Sequence, residues 1–373
     1  MSTTLPARSQ ASSGPATVRT VQPGAPVPPA QPAAARATER ATAPALPQPR
    51  GPISQAVIEH CAGTGGDAPW STARDVDAYG EDLHLALYVL YELHYRGFAG
   101  VDPELEWDLD LVALRLELEK AFLARLRRDT DADAVEALDE TDLRALLDEE
   151  VDTLLTEVVG APSVSRHLMT VGTLEQFREY VTHRSAYHLK EADPQLLVVP
   201  RIEGPAKSGL MTVQHDEYGS GRASAMHSEL FAAMMRELGL DAGYGALVDR
   251  VSGTVLAEVN LMSMTGLHRS LRGASVGQFA VIELTSSPGS ARLVKAAQRL
   301  GCGPATEYYY AEHVEADAVH EQILRRDVLA PLVEAEPEIA ADIVFGIRAS
   351  GLLATRFGDA VLGAWADGRS SLG

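Results

Sequence analysis

Cysteine is nearly missing from this chain of 373 residues, which has only Cys61 and Cys302. Two cysteines allow at most one bridge. A disulfide framework is therefore excluded, and so is a thiolate-rich zinc or iron–sulfur site. Such sparing use fits a reducing cytoplasm. Long apolar runs are missing as well: none approaches the ~18 residues a membrane span needs. The N-terminus lacks the charged-then-apolar pattern of a signal peptide. Positive charge is scarce. The net charge is −20, and beyond residue 52 the chain carries 27 basic against 51 acidic residues. An acidic body has no basic stripe for nucleic acid and no attraction to anionic lipid. The expectation is a cytoplasmic protein that works on neither nucleic acid nor membranes.

Proline is unevenly placed: more than half of the 21 prolines fall in residues 1–52, among Ala, Ser, Thr and Gln. Such a segment buries too little apolar surface to offset its ordering entropy. It is expected to be a disordered tail, passive or a tether. Beyond it the pattern is helical. Leu83, Leu85, Leu87, Val89, Leu90 and Leu93 make one dense apolar stretch, and residues 104–127 repeat the theme, ending in Arg125, Arg127 and Arg128, as a helix C-terminus favours. Residues 129–152 are strongly acidic, with Leu138, Leu143, Leu146 and Leu147 at helical spacing, which reads as a helix with a solvated face. Further helices are expected over 174–191, 216–238, about 244–270, 276–300, 306–330 and 337–367. Strand-like alternation is scarce, and the best candidate, residues 196–202, is demoted by Pro200. The class is all-α, and a bundle is the natural architecture.

Chemistry concentrates near the C-terminus, in His313-Val-Glu-Ala-Asp317-Ala-Val-His320. At about 100° per residue, Asp317 lies about 40° from His313 and His320 about 20° to the other side, so all three point one way. Glu315, Gln322, Arg325 and Arg326 occupy the opposite side, while Leu324 continues the stripe inward. The stripe is a metal site, a surface face, or a His–Asp–His hydrogen-bond ladder. Imidazole and carboxylate without thiolate suit iron, manganese or zinc. Di-iron bundles use inward acids together with acid-x-x-His pairs, and Asp317-x-x-His320 is such a pair.

A bundle site needs further carboxylates from other helices. Glu283 lies within the apolar run Phe-Ala-Val-Ile-Glu-Leu. A buried unpaired carboxylate is costly, so either a metal or an arginine must compensate it. Glu217 and His227 are ten residues apart, out of phase on one ideal helix. They could share a site only if Glu217 stood at an irregular, Gly-rich helix start. Glu191 closes another helix just before Pro194.

Taken together these segments resemble the haem-oxygenase-like di-iron oxidases, the iron-containing redox enzymes. The resemblance covers roughly residues 80–368. Its landmarks are Leu-Tyr-Glu-Leu-His-Tyr-Arg-Gly-Phe at 90–98, Lys-Glu-Ala-Asp-Pro at 190–194 and Asp-Glu-Tyr-Gly-Ser-Gly at 216–221, then Met226-His227, Asn260-Leu-Met-Ser, His268-Arg269, Glu283-Leu-Thr-Ser-Ser and the helix around His313. It implies a haem-oxygenase-like bundle over 161–373, with additional N-terminal helices over 53–160 that either form a homodimer interface or cap the bundle. It implies seven ligands: Glu191, Glu217, His227, Glu283, His313, Asp317 and His320. One iron would take His227, Asp317 and His320, and the other Glu217 and His313, with Glu191 and Glu283 bridging or flanking. Four carboxylates balance two Fe(II) ions in charge. Neither haem nor a nucleotide is implied.

The activity implied is O₂-dependent oxidation of a small organic substrate in specialised metabolism, with an external reductant as a possible partner. N-oxygenation of an amine or amino acid is the leading form. Oxidative C–C or C–N cleavage, decarboxylation of an amino or fatty acid, and a non-catalytic iron-binding helical protein are the alternatives. Arg222, Arg269 and Arg272 are candidates to hold a substrate carboxylate, or else to make structural ion pairs. His183, His188 and His215 are expected to support the site or the core.

Overall fold

The computed structural model describes residues 43–65, 76–156, 160 and 162–373, and among these there is no strand. Most of the expected N-terminal tail, residues 1–42, lies outside the described residues. Its last ten residues differ from expectation. The Pro44 carbonyl accepts from Ala99 N–H, Gln48 N–H donates to Asp249, and Arg50 reaches Glu81 and the Val248 carbonyl. Prolines at 44 and 47 are buried. A rigid, proline-rich strap with little entropy left to lose can be fixed by a few such bonds.

The helices run in order: α1 (Pro52–Cys61), α2 (Glu81–Glu92), α3 (Leu109–Asp129), α4 (Ala132–Glu136), α5 (Glu140–Leu155), α6 (Val164–Thr170), α7 (Leu174–His188), α8 (Asp193–Leu196), α9 (Gly204–Glu217), α10 (His227–Glu237), α11 (Gly253–Leu267), α12 (Arg272–Leu300), α13 (Pro304–Ile323), α14 (Ala330–Ala335) and α15 (Ile339–Ala366). Local chemistry marks their ends. Asp108 caps α3 and Asp139 caps α5 by accepting from backbone N–H groups, and Thr173 with Gln176 forms a capping box on α7. Arg127 and Arg128 sit in the last turn of α3, where cations favour the dipole. The acidic stretch expected as one helix is broken between α4 and α5, because Asp139 caps a new start. The strand candidate 196–202 is the end of α8 and a 3-10 turn, Val199–Arg201.

α12 is the spine and packs against α6, α13 and α15. Two glycines allow its approach to α15: a Cβ on Gly277 would overlap the Ile343 carbonyl, and one on Gly346 the Ala274 carbonyl. α2 lies against α1 and α11 with Leu83 to Tyr91 buried. It belongs to the main apolar core along with α7, α10 and α11. Part of the expected N-terminal region, 53–160, is therefore continuous with the bundle. No helix among the described residues is long and apolar enough to cross a membrane.

Candidate metal centre

Five segments bring the seven candidate residues together. Glu191 stands in the turn after α7, Glu217 ends α9, His227 opens α10, Glu283 lies mid-way along α12, and His313, Asp317 and His320 line one face of α13. All seven are buried. The expected helix over 216–238 does not exist as one element. α9 ends at Glu217, two short 3-10 turns follow through the Gly-rich segment, and α10 starts at His227. Glu217 is thus at the end of a helix rather than at its start. The break between α9 and α10, with a left-handed Ser220 in it, supplies the phase that a single helix could not.

The donor atoms form two groups. Glu191, His227 and His313 make one, and Glu217, Glu283, Asp317 and His320 the other; within each the atoms lie within 4.8 Å of one another. This differs from the division implied by resemblance, in which His227 joined Asp317 and His320. The reason is the start of α10, which sets the His227 ring 4.4 Å from that of His313, centroid to centroid. Glu217 touches both groups: Oε2 is 2.8 Å from His227 Nδ1 and Oε1 is 3.5 Å from His320 Nδ1.

Five of these residues leave a buried polar atom without a hydrogen-bond partner: Glu191 Oε2, His227 Nδ1, His313 Nε2, Asp317 Oδ2 and His320 Nε2. The 2.8 Å approach of His227 to Glu217 lacks hydrogen-bond alignment. Such orphans are costly unless something else takes them. His313 is set up for a ligand, because Nδ1 donates to the Tyr309 carbonyl at 2.8 Å and leaves the Nε2 lone pair free. The partner of Glu283 is His320, at 2.9 Å, and not an arginine.

Electrostatics point the same way. Burial pushes the Glu283 carboxyl up to about 8; the His320 N–H opposes this, and Glu217 and Asp317 add to it. Burial and the Glu217 charge raise Glu191 well above the carboxylate range. Burial disfavours charge on His227 and His320. Even so, Glu217 lifts His227 to about 9, and Asp317 and Glu283 lift His320 to about 11. Burial and the neighbouring His227 lower His313. Without cations Glu191, Glu283, His227 and His320 are all pushed toward holding a proton. Two divalent cations would replace those protons against four carboxylates, so the donor set fits two metal ions.

The arginines expected to hold a carboxylate are not at the site. Arg272 pairs with Glu336, and Arg222 and Arg269 are exposed. Arg272, at the start of α12, is drawn to Glu336 just before α15, and Arg222 stands between the two 3-10 turns that join α9 to α10. Of the three histidines, His188 stacks on Phe231 with Nε2 3.8 Å from Glu191, a supporting position. His183 binds Ser371 near the C-terminus, and His215 is exposed. Several residues were not anticipated. Lys190 and Glu92 form a buried pair beside Glu191, at 2.9 Å. Arg184 on α7 pairs with Glu258 on α11 at 2.5 Å. Glu258 and Glu92 had a legible signal, since each is an acid inside an apolar helix, like Glu283. α13 passes into a π-helical turn, Leu324–Leu329, directly after His320, and Pro331 opens α14 instead of stopping a helix at 330.

Residues 178–354 match the family model described as iron-containing redox enzyme, a span that contains all seven candidates. A nitrosourea synthase of Streptomyces achromogenes subsp. streptozoticus is 28% identical over 161 residues, which is 43% of this chain. The match covers 34% of that protein, so the chain spans only about a third of its relative. The fold is all-helical and haem-oxygenase-like, and through residues 178–354 the chain is similar to the iron-containing redox enzymes, a likeness that supports an oxidoreductase.

Proposed function

We propose that the seven residues hold two iron ions and that the chain is a non-haem di-iron oxygenase or oxidase acting on a small amine or amino acid. The carrying observation is the pair of donor groups with matched orphan atoms. Glu191, His227 and His313 would hold one ion, and Glu283, Asp317 and His320 the other. Glu217 would lie between them. Bound there, ferrous ions would supply the electrons for reducing O₂. The relative's activity, nitrosourea synthesis, supports a nitrogen-bearing substrate.

The chain's own groups define the rest. The Tyr309 carbonyl fixes the His313 tautomer, and Glu283 orients His320 through Nδ1. Phe231, Tyr309 and Leu284 are buried around the cluster's helices and exclude water. Burial keeps the Tyr187 and Tyr309 phenols protonated, and the Tyr309 hydroxyl has no partner. That hydroxyl is a free donor or acceptor on a ring whose centroid lies 4.4 Å from that of His313.

The test is anaerobic loading with Fe(II), followed by O₂ and a panel of amines and amino acids. Substrate-dependent O₂ uptake with an oxidised nitrogen product is expected, without a haem Soret band. Stoichiometric O₂ uptake with no turnover of any panel member would instead favour a non-catalytic iron-binding protein.

A further inference from the structure

Two cavities of about 440 and 240 Å³ adjoin the candidate metal centre. They share the wall formed by Tyr180, Arg184, His188, Thr285, Ser286 and Ala354. His313 lines the larger one, and Glu258 the smaller. The larger falls within the about 300–1,000 Å³ of small-ligand sites, and the smaller adds room across the shared wall.

Opposite charges meet where Arg184 of the shared wall pairs with Glu258 of the smaller cavity. Arg184 Nη1 donates to Glu258 Oε2, and the guanidinium lies 4.3 Å from the Phe357 ring centroid. Glu258 Oε1 is buried without a hydrogen-bond partner. A pair that served only to join α7 to α11 would leave that oxygen desolvated for no return. A guanidinium has five N–H donors, of which Glu258 and Tyr180 take up only part. The pair therefore offers an unfilled acceptor beside a cation with donors to spare. This complements an ammonium next to a carboxylate.

We propose that Arg184 and Glu258 bind the α-carboxylate and α-ammonium of an L-amino acid. Arg184 takes the carboxylate as a fork, and Glu258 Oε1 accepts from the ammonium. The amino-acid side chain then extends through the larger cavity toward His313. This rests on the reading of the seven residues as an iron site and specifies its substrate class. It also replaces Arg222, Arg269 and Arg272 with a buried arginine on α7.

The experiment is calorimetric titration of the purified, full-length, Fe(II)-loaded protein under argon with the twenty protein L-amino acids. Any binder is compared with its decarboxylated amine and its deaminated acid. At least one amino acid is expected to bind, with both truncated analogues at least about tenfold weaker, the size of a lost charged hydrogen bond. Arg184→Gln should weaken the amino acid at least about tenfold and erase its advantage over the amine. Glu258→Gln should erase its advantage over the acid. Ala354→Leu narrows the shared space from an exposed position of α15 without touching the pair, so it keeps the test valid if the charge variants unfold. It should also weaken binding. No amino acid binding, or affinities unchanged in Arg184→Gln or in Ala354→Leu, would overturn the proposal. Iron counted in the same samples separates the two readings. Two irons without amino acid binding defeats the substrate assignment alone, and amino acid binding without iron defeats the metal reading.

Discussion

Replacing Lys190 with methionine is the sharpest structural test of how the centre is held. Lys190 Nζ lies 2.9 Å from Glu92 Oε2, with side-chain exposures of 1% and 0%. The ammonium also sits 4.3 Å from the Tyr95 ring centroid and 5.0 Å from that of Tyr88. Glu92 accepts from the Tyr244 hydroxyl at 2.6 Å as well. Lys190→Met removes the cation and leaves a carboxylate in the core. Breaking a buried pair in this way costs about 3–5 kcal/mol. The double variant Lys190→Met with Glu92→Leu removes both charges and strands the Tyr244 hydroxyl, at about 1–3 kcal/mol, along with the long bond from the Arg96 N–H. The double variant is therefore expected to be more stable than the single one. Urea unfolding of the iron-free proteins, followed by circular dichroism, measures both. A single-variant loss below about 1 kcal/mol, or a double variant less stable than the single, would refute the reasoning. Because Lys190 immediately precedes Glu191, the single variant should also weaken iron binding, and the double variant should do so less.

Other consequences can be checked in turn. In iron-free protein the Glu283 carboxyl titrates near 8, above its unfolded value, so its contribution to stability is present in acid and lost as pH rises toward 8. Iron-free Glu283→Gln should thus gain in melting temperature over wild type between pH 5 and 9, while binding less iron; a gap that shrinks with pH would reverse the sign. Gly346→Ala places a methyl against the Ala274 carbonyl and should destabilise by about 1–3 kcal/mol in urea titrations. A neutral result would mean that α12 and α15 separate easily. Arg272→Ala should leave iron stoichiometry unchanged by metal analysis, since its partner is Glu336 and not the cluster.

The all-helical class was legible because apolar residues recur with helical period and strand alternation is scarce. The α13 stripe was legible for the same reason: three ligand-type side chains replace apolar ones on an inward face. Glu283 stood out as a charge inside an apolar helix, and by that criterion Glu258 and Glu92 could have been found too. What the sequence concealed was geometry between helices. The break after Glu217 depends on a left-handed Ser220, with φ 52°, in a Gly-rich turn, and local propensity does not announce how far such a turn redirects the chain. The grouping of His227 with His313 follows from that redirection. Arg184 gave no signal at all, because an arginine near the end of an amphipathic helix reads as a surface charge until α11 is packed against it. The strap at 43–52 reads as tail because proline marks a chain as extended without saying what it lies on.

Iron counting on single-group variants bears on the two-metal reading with the least intervening inference. Wild-type chain loaded anaerobically with Fe(II) and freed of excess metal should retain two irons. His313→Ala should retain one, held by the group containing Asp317 and His320, and Asp317→Ala one, held by the group containing His313 and His227. Mössbauer spectra should then show a different single ferrous site in each variant. One iron or none in the wild type, or two irons retained by both variants, would contradict it.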